Sequence, residues 1–324
     1  MPLHPDVEAF LELVTLGREA GLHQPMHELE VAQARSEFEA SAGVLDPDPP
    51  RDTAVVRTVI PTRDGNGIEA RLYRAPQCPG AGCPVILYFH GGGFVVGSLD
   101  SHDSVCRRLS AATGHAVLAP AYRLAPEHRF PTATHDSVDA ALWLSANAQA
   151  LGLDATHMVV AGDSAGATLA TVLAQLAAVG EEGLSVQPVA QLLFYPVTDV
   201  SRKRDSHQRY GQGFLLETAT LDWFYQHYLD NVAQRQDARV SPLLRTVPAD
   251  LAPAYVNIAE FDPLADEGLA YAEALKASGV QVTLKVEQGA THDFLRMTGI
   301  SSQSTQVYAA VAQWLEEQSA PERR

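Results

Sequence analysis

From residue 84 onward the chain repeats one pattern: a short, continuous apolar run, then a stretch with helical spacing. The runs are 84–89, 116–121, 157–161, 189–195, 253–259 and 282–286. Helical spacing covers about 102–113, 133–150, 165–179, 265–278 and 304–318. A strand that is apolar throughout must be covered on both faces, and helices on either side of a parallel sheet do this. The pattern predicts an α/β fold with a mostly parallel sheet flanked by helices.

Two earlier segments, 54–60 and 68–74, alternate as strands and flank Arg63, Asp64, Gly65, Asn66 and Gly67. Asp-Gly and Asn-Gly pairs supply the positive φ of a hairpin turn. The hairpin brings the expected sheet to eight strands. Residues 1–45 are helical in pattern, with Val7, Phe10, Leu11 and Val14 on one stripe, and prolines 47, 49 and 50 end that pattern. Residues 200–250 interrupt the strand–helix rhythm. Residues 201–209 are polar and loop-like, and 217–229 form a helix with Leu221, Phe224, Tyr225 and Tyr228 on one side. The expected organisation is a helical cap from 1–50 and 200–240, on a core built from 51–199 and 241–324.

With 324 residues, 46% of them hydrophobic and 19% charged, the chain can bury a core without staples, and a disordered or fibrous chain is excluded. The net charge of −16 repels nucleic-acid phosphates and anionic membranes, so neither is an expected partner. Cys78, Cys83 and Cys106 are too few for a disulfide framework and suit a reducing compartment. Nothing resembles a signal peptide, and no apolar run reaches the roughly 20 residues of a membrane span. A cytoplasmic protein without metal or organic cofactor is expected.

Gly162, Asp163, Ser164, Ala165 and Gly166 follow a predicted strand and open an Ala/Leu-rich helix. A serine between glycines at a strand-to-helix turn is a nucleophile elbow: the turn is too tight for flanking side chains and lifts the hydroxyl above the sheet edge. The amide of Ala165 then lies at a helix N-terminus, suited to an oxyanion. His90, Gly91, Gly92, Gly93 and Phe94 follow another strand. Such glycines free backbone amides to turn toward one point, and the segment lacks the ending of a phosphate-binding loop.

A serine needs a base, and the base an orienting carboxylate, here expected after the serine in loops that follow late strands. Asp262 and His292 fit. Glu260, Asp266, Glu267 and Asp293 are rival acids, and Asp262 before Pro263 also suits a turn or a helix cap. Trp223, Phe224 and Tyr228, with Phe94, are candidates to line a substrate pocket, although an aromatic stripe at helical spacing also suits a core.

Several segments together resemble the hormonesensitive-lipase-like carboxylesterases of the α/β-hydrolase fold. They are 90–94, 122–128 and 162–166, then Tyr195-Pro196, Ser241-Pro242-Leu243, 262–267 and His292-Asp293-Phe294. The resemblance implies Ser164 as nucleophile, His292 as base and Asp262 as its orienting acid, with Gly91, Gly92 and Ala165 as oxyanion donors. It implies a helical cap and hydrolysis of short- to medium-chain esters, so a small-molecule ester is the expected partner; a homodimer is the assembly considered. Many members have glycine where this chain has Asp293, and an acidic neighbour there should raise the pKa of His292. A non-catalytic receptor, an acyltransferase and a peptidase are the alternatives on this scaffold.

Overall fold

The computed structural model describes residues 2–319. The chain opens with α1 (Pro5–Glu19), α2 (Val31–Ala40) and α3 (Ala42–Leu45). β1 (Ala54–Pro61) and β2 (Gly67–Arg74) pair antiparallel, from Ala54 opposite Arg74 to Pro61 opposite Gly67. Their turn is closed by the Thr62 amide donating to the Asn66 carbonyl at 3.0 Å, with Gly65 at φ 84°. This is the hairpin the Asp-Gly and Asn-Gly pairs predict.

The strand–helix rhythm follows: β3 (Cys83–Phe89), α4 (Asp103–Thr113), β4 (Ala116–Pro120), α5 (Thr132–Asn147), β5 (Leu153–Asp163), α6 (Ala165–Ala178) and β6 (Ala190–Phe194). After it come α7 (Asp205–Arg209), α8 (Thr218–Tyr228), β7 (Ala254–Phe261), α9 (Ala265–Ala277), β8 (Val282–Thr291) and α10 (Ser302–Ser319). One eight-stranded sheet runs β1-β2-β4-β3-β5-β6-β7-β8. β2 lies antiparallel to β1 and to β4; every pairing from β4 to β8 is parallel. The C-terminal ends of β3, β5, β7 and β8 therefore share one edge, where an α/β sheet presents its site.

The strands are apolar on both faces because both are covered. Along β3, Val85, Leu87 and Phe89 belong to one core, while Ile86 and Tyr88 belong to the other. α6 is buried from Ala165 to Ala177, and its alanines and glycine let it lie close to the sheet. The charged segment 122–128 braces the fold: the Tyr122 hydroxyl donates to the His90 carbonyl at 2.7 Å, Arg123 pairs with buried Asp136 at 2.6 Å, and Glu127 pairs with Arg35 at 2.6 Å.

Three details differ from the sequence reading. Residues 205–209 form the short helix α7 rather than loop, because distant partners hold it. The Ser206 hydroxyl donates to the Pro263 carbonyl at 2.6 Å, and the Ser206 amide to Asp266 at 2.8 Å. β5 begins four residues early, at Leu153, and β8 runs on to Thr291, directly before His292. All three cysteines are free thiols. No helix among the described residues is long and apolar enough to cross a membrane.

Candidate active site

β5 ends at Asp163 and α6 begins at Ala165, so Ser164 alone makes the turn, at φ 53° and ψ −119°. A Cβ at Gly162 would lie 2.4 Å from the backbone of Gly166, and one at Gly166 would lie 2.0 Å from the Phe89 carbonyl oxygen. Both flanking positions therefore exclude a side chain.

Ser164, Asp262 and His292 meet at the shared sheet edge. His292 Nε2 lies 3.0 Å from Ser164 Oγ, and His292 Nδ1 lies 2.6 Å from Asp262 Oδ2. The second oxygen of Asp262 accepts the Leu264 amide at 2.8 Å, so the carboxylate is fixed at both ends. The rival acids are engaged elsewhere. Glu260 accepts the Gly289 amide at 2.8 Å, Asp266 holds α7, and buried Glu267 accepts the Thr198 amide at 2.7 Å. Burial pulls the pKa of His292 down, but the charge and hydrogen bond of Asp262, then the charges of Asp293 and Asp163, outweigh it and hold the pKa above the ordinary histidine value. Asp293 contributes as the sequence suggests. Its own φ is 70°, the left-handed conformation for which glycine is the easier residue.

The glycine loop departs from expectation at one position. The Gly91 amide donates to Asp163 Oδ1 at 2.9 Å and is not free for a ligand. Asp163 is wholly buried and also accepts the Tyr88 hydroxyl, with His102 Nε2 at 3.3 Å, so it anchors the loop from beneath. Gly92 and Gly93, not Gly91, line the cavity beside Ser164. The amides of Gly92, Gly93 and Ala165 have no protein acceptor among the described residues. The sequence of three glycines does not reveal which amide Asp163 takes.

The cavity over Ser164 encloses about 280 Å³. Phe94 and Phe224 line it; Trp223 and Tyr228 do not. Tyr228 lies behind Phe94, with rings stacked at 4.0 Å and its edge against Phe130, and Trp223 packs on His227 at 4.5 Å. On α8 it is Leu221 and Tyr225 that join Phe224 at the cavity wall. The opposite wall comes from the N-terminal helices, with Phe10, Leu29 and Phe38. The two segments are tied by Arg18 to Glu217 at 2.6 Å and by His27 Nδ1 to Thr220 Oγ1 at 3.2 Å.

A buried guanidinium unrecognised in the sequence joins these parts. Arg296 donates to Asp293 at 2.8 Å, to the Ser101 carbonyl at 3.2 Å, and to the Phe38 carbonyl and Ser41 hydroxyl of the N-terminal segment at 3.3 and 3.1 Å. Its guanidinium also lies 4.2 Å over the Phe38 ring. It links the residue after His292, the loop before α4 and the end of α2.

Comparison with known proteins agrees with this arrangement. The family profile described as alpha/beta hydrolase fold matches residues 86–296. The ethyl acetate hydrolase of Pseudomonas putida is 48% identical over 319 residues, covering 98% of this chain and 99% of that protein. The arylesterase of Saccharolobus solfataricus is 30% identical, covering 96% of this chain and 98% of its own. Among solved structures, an α/β hydrolase enzyme from the metagenome of Lake Arreo, Spain, superposes with a TM-score of 0.91 at 34% identity, over 97% of this chain and 98% of that one. The hyperthermophilic esterase of Pyrobaculum calidifontis gives 0.88 at 34% identity, over 98% and 99%. With likeness spanning nearly its full length, the chain belongs to the hormonesensitive-lipase-like carboxylic ester hydrolases of the α/β-hydrolase fold.

Proposed function

We propose that this carboxylesterase cleaves short- to medium-chain esters through an acyl-enzyme on Ser164. The observation that carries the reading is the unbroken chain of hydrogen-bonding distances from Ser164 Oγ through His292 to Asp262, at 3.0 and 2.6 Å. Ser164 Oγ attacks the ester carbonyl carbon while His292 Nε2 takes its proton. Asp262 holds the other ring nitrogen and stabilises the imidazolium that forms. The negative charge on the carbonyl oxygen is met by the amides of Gly92, Gly93 and Ala165, each such donor supplying about 3 kcal/mol of transition-state stabilisation. The tetrahedral intermediate collapses, and His292 gives its proton to the leaving alkoxide. Water, deprotonated by the same ring, then attacks the acyl-enzyme and releases the acid.

Two features support small substrates. The cavity of about 280 Å³ lies just below the roughly 300–1,000 Å³ usual for ligand sites. The Pseudomonas relative is an ethyl acetate hydrolase, and ethyl acetate has a two-carbon acyl group. The helices before residue 50 and those within 200–240 act together as the cap that closes this space. A fluorophosphonate probe should label the protein at Ser164, and Ser164→Ala should abolish both labelling and turnover while leaving the circular dichroism spectrum unchanged. Turnover of p-nitrophenyl butyrate should exceed that of the palmitate ester by at least tenfold; efficient palmitate hydrolysis would overturn the size preference alone.

A further inference from the structure

α8 separates the cavity over Ser164 from a second one. Leu221 and Tyr225 line both. The second encloses about 250 Å³ and has charged walls: Arg202, Lys203 and Arg235 against Asp199 and Asp222. One positive charge is in excess, and the two carboxylates are already engaged. Asp199 accepts from Arg202 at 3.1 Å, from Arg204 at 2.8 Å and from the Ser201 amide at 3.2 Å, while Asp222 accepts Lys203 at 2.6 Å.

The donors are not all so occupied. Arg235 makes no ion pair among the described residues; its guanidinium lies 5.4 Å over the Tyr225 ring. His207 Nδ1 accepts the Arg204 amide at 3.2 Å, which leaves the ring proton on Nε2. Burial, then the charge of Lys203, lowers the pKa of His207 and keeps it neutral in that tautomer. Its Nε2–H has no acceptor among the described residues. The Tyr225 hydroxyl is buried without a partner. The unmatched donors of Arg235 and His207, around a net-positive, partly open space, are complementary to an anion, because charge-assisted hydrogen bonds would satisfy them.

We propose that this second cavity binds a small carboxylate, the chemical class of the acid that ester hydrolysis releases. The proposal rests on the esterase reading only for that choice of anion. A planar two-oxygen ligand matches the single unpaired guanidinium, and the reaction generates such a ligand on the other side of the Leu221–Tyr225 wall.

The test uses p-nitrophenyl butyrate as substrate and sodium butyrate as added ligand, with ionic strength held constant by sodium chloride. In an acyl-enzyme mechanism the acid is the last product to leave, so at Ser164 it competes with ester and lowers kcat/KM alone. A carboxylate in the second cavity bears on Leu221 and Tyr225, which also wall the first, and so adds an effect on kcat. The expected result is mixed inhibition whose kcat component weakens at least tenfold in Arg235→Gln, leaving the competitive component in place. Purely competitive inhibition of the unaltered protein, a kcat effect unchanged in Arg235→Gln, or an equal effect from chloride or inorganic phosphate would each overturn the proposal. A direct measurement needs no variant. Protein blocked at Ser164 by a fluorophosphonate should still bind one 13C-labelled acetate per chain, and no binding would overturn it. If the ester is not turned over at all, the esterase reading falls, whereas acetate binding to the unmodified chain still decides on the cavity.

Discussion

Asp293 and Gly91 show how neighbours of the reacting groups set their behaviour. In the proposed mechanism the working base is the neutral imidazole of His292, so a pKa held above the ordinary value would place the acid limb of kcat/KM above about pH 6.5. Asp293→Asn removes one of the charges that raise it. The acid limb should then move to lower pH while the plateau stays within a few fold, as a kcat/KM profile would record. An unmoved limb would mean that Arg296, 2.8 Å from Asp293, already cancels its charge at His292. In Gly91→Ala the new Cβ would lie 2.2 Å from Asp163 Oδ2 and 3.1 Å from the Asp163 carbonyl oxygen. The loop must shift, misaligning the Gly92 and Gly93 amides, so kcat should fall about 10²–10³-fold with KM little changed. At this scale the grouping of Ser164, Asp262 and His292 was legible because chain order and loop position restrict it. The choice among three glycine amides was not, since it depends on where the Asp163 side chain turns.

At the scale of elements, the strands and most helices were legible because their spacing follows from which faces are buried. α7 was not: its polar residues are held by Pro263 and Asp266, almost sixty positions away, and no local periodicity records that. The helix α8 was legible, but its rotation was not. Phe94 stacks on Tyr228 and takes that residue into the core, which leaves Leu221, Phe224 and Tyr225 at the cavity. The joint between α2 and the His292 loop rests on Arg296, only 2% exposed. Arg296→Met removes four hydrogen-bonding links and leaves Asp293 without its cation. Leaving the buried acceptors of Arg296 without their donor, beside a partly exposed Asp293, costs about 1–3 kcal/mol, which urea denaturation would register as a lower midpoint. The unneutralised Asp293 should also push the acid limb upward, opposite to the shift in Asp293→Asn; a structural role alone would leave that limb in place.

For the whole molecule, Glu267 ties stability to pH. It is fully buried, and burial raises its pKa from 4.5 to about 8, against the opposing hydrogen bonds from the Thr198 and Asp199 amides. Because the folded pKa lies above the unfolded one, the folded state holds the proton more tightly. This contribution is fully present below about pH 4.5 and is lost as pH rises toward 8, with a slope of up to about 1.4 kcal/mol per pH unit. Glu267→Gln keeps the shape and removes the proton equilibrium. Its melting temperature should match that of the unaltered protein near pH 5 and exceed it near pH 8; parallel curves would show that Glu267 is not the group responsible.

Ser164 occupies a backbone conformation at φ 53° that most side chains avoid. In the proposed mechanism alanine and glycine there silence the chemistry equally, yet only glycine adopts that geometry without strain. The glycine-bearing protein should therefore tolerate more heat than the alanine-bearing one, in calorimetry at matched pH. Thermal endurance and reactivity are opposed at this one peptide unit: the contortion that exposes the oxygen to an ester is the same one that a more durable, inert molecule would shed.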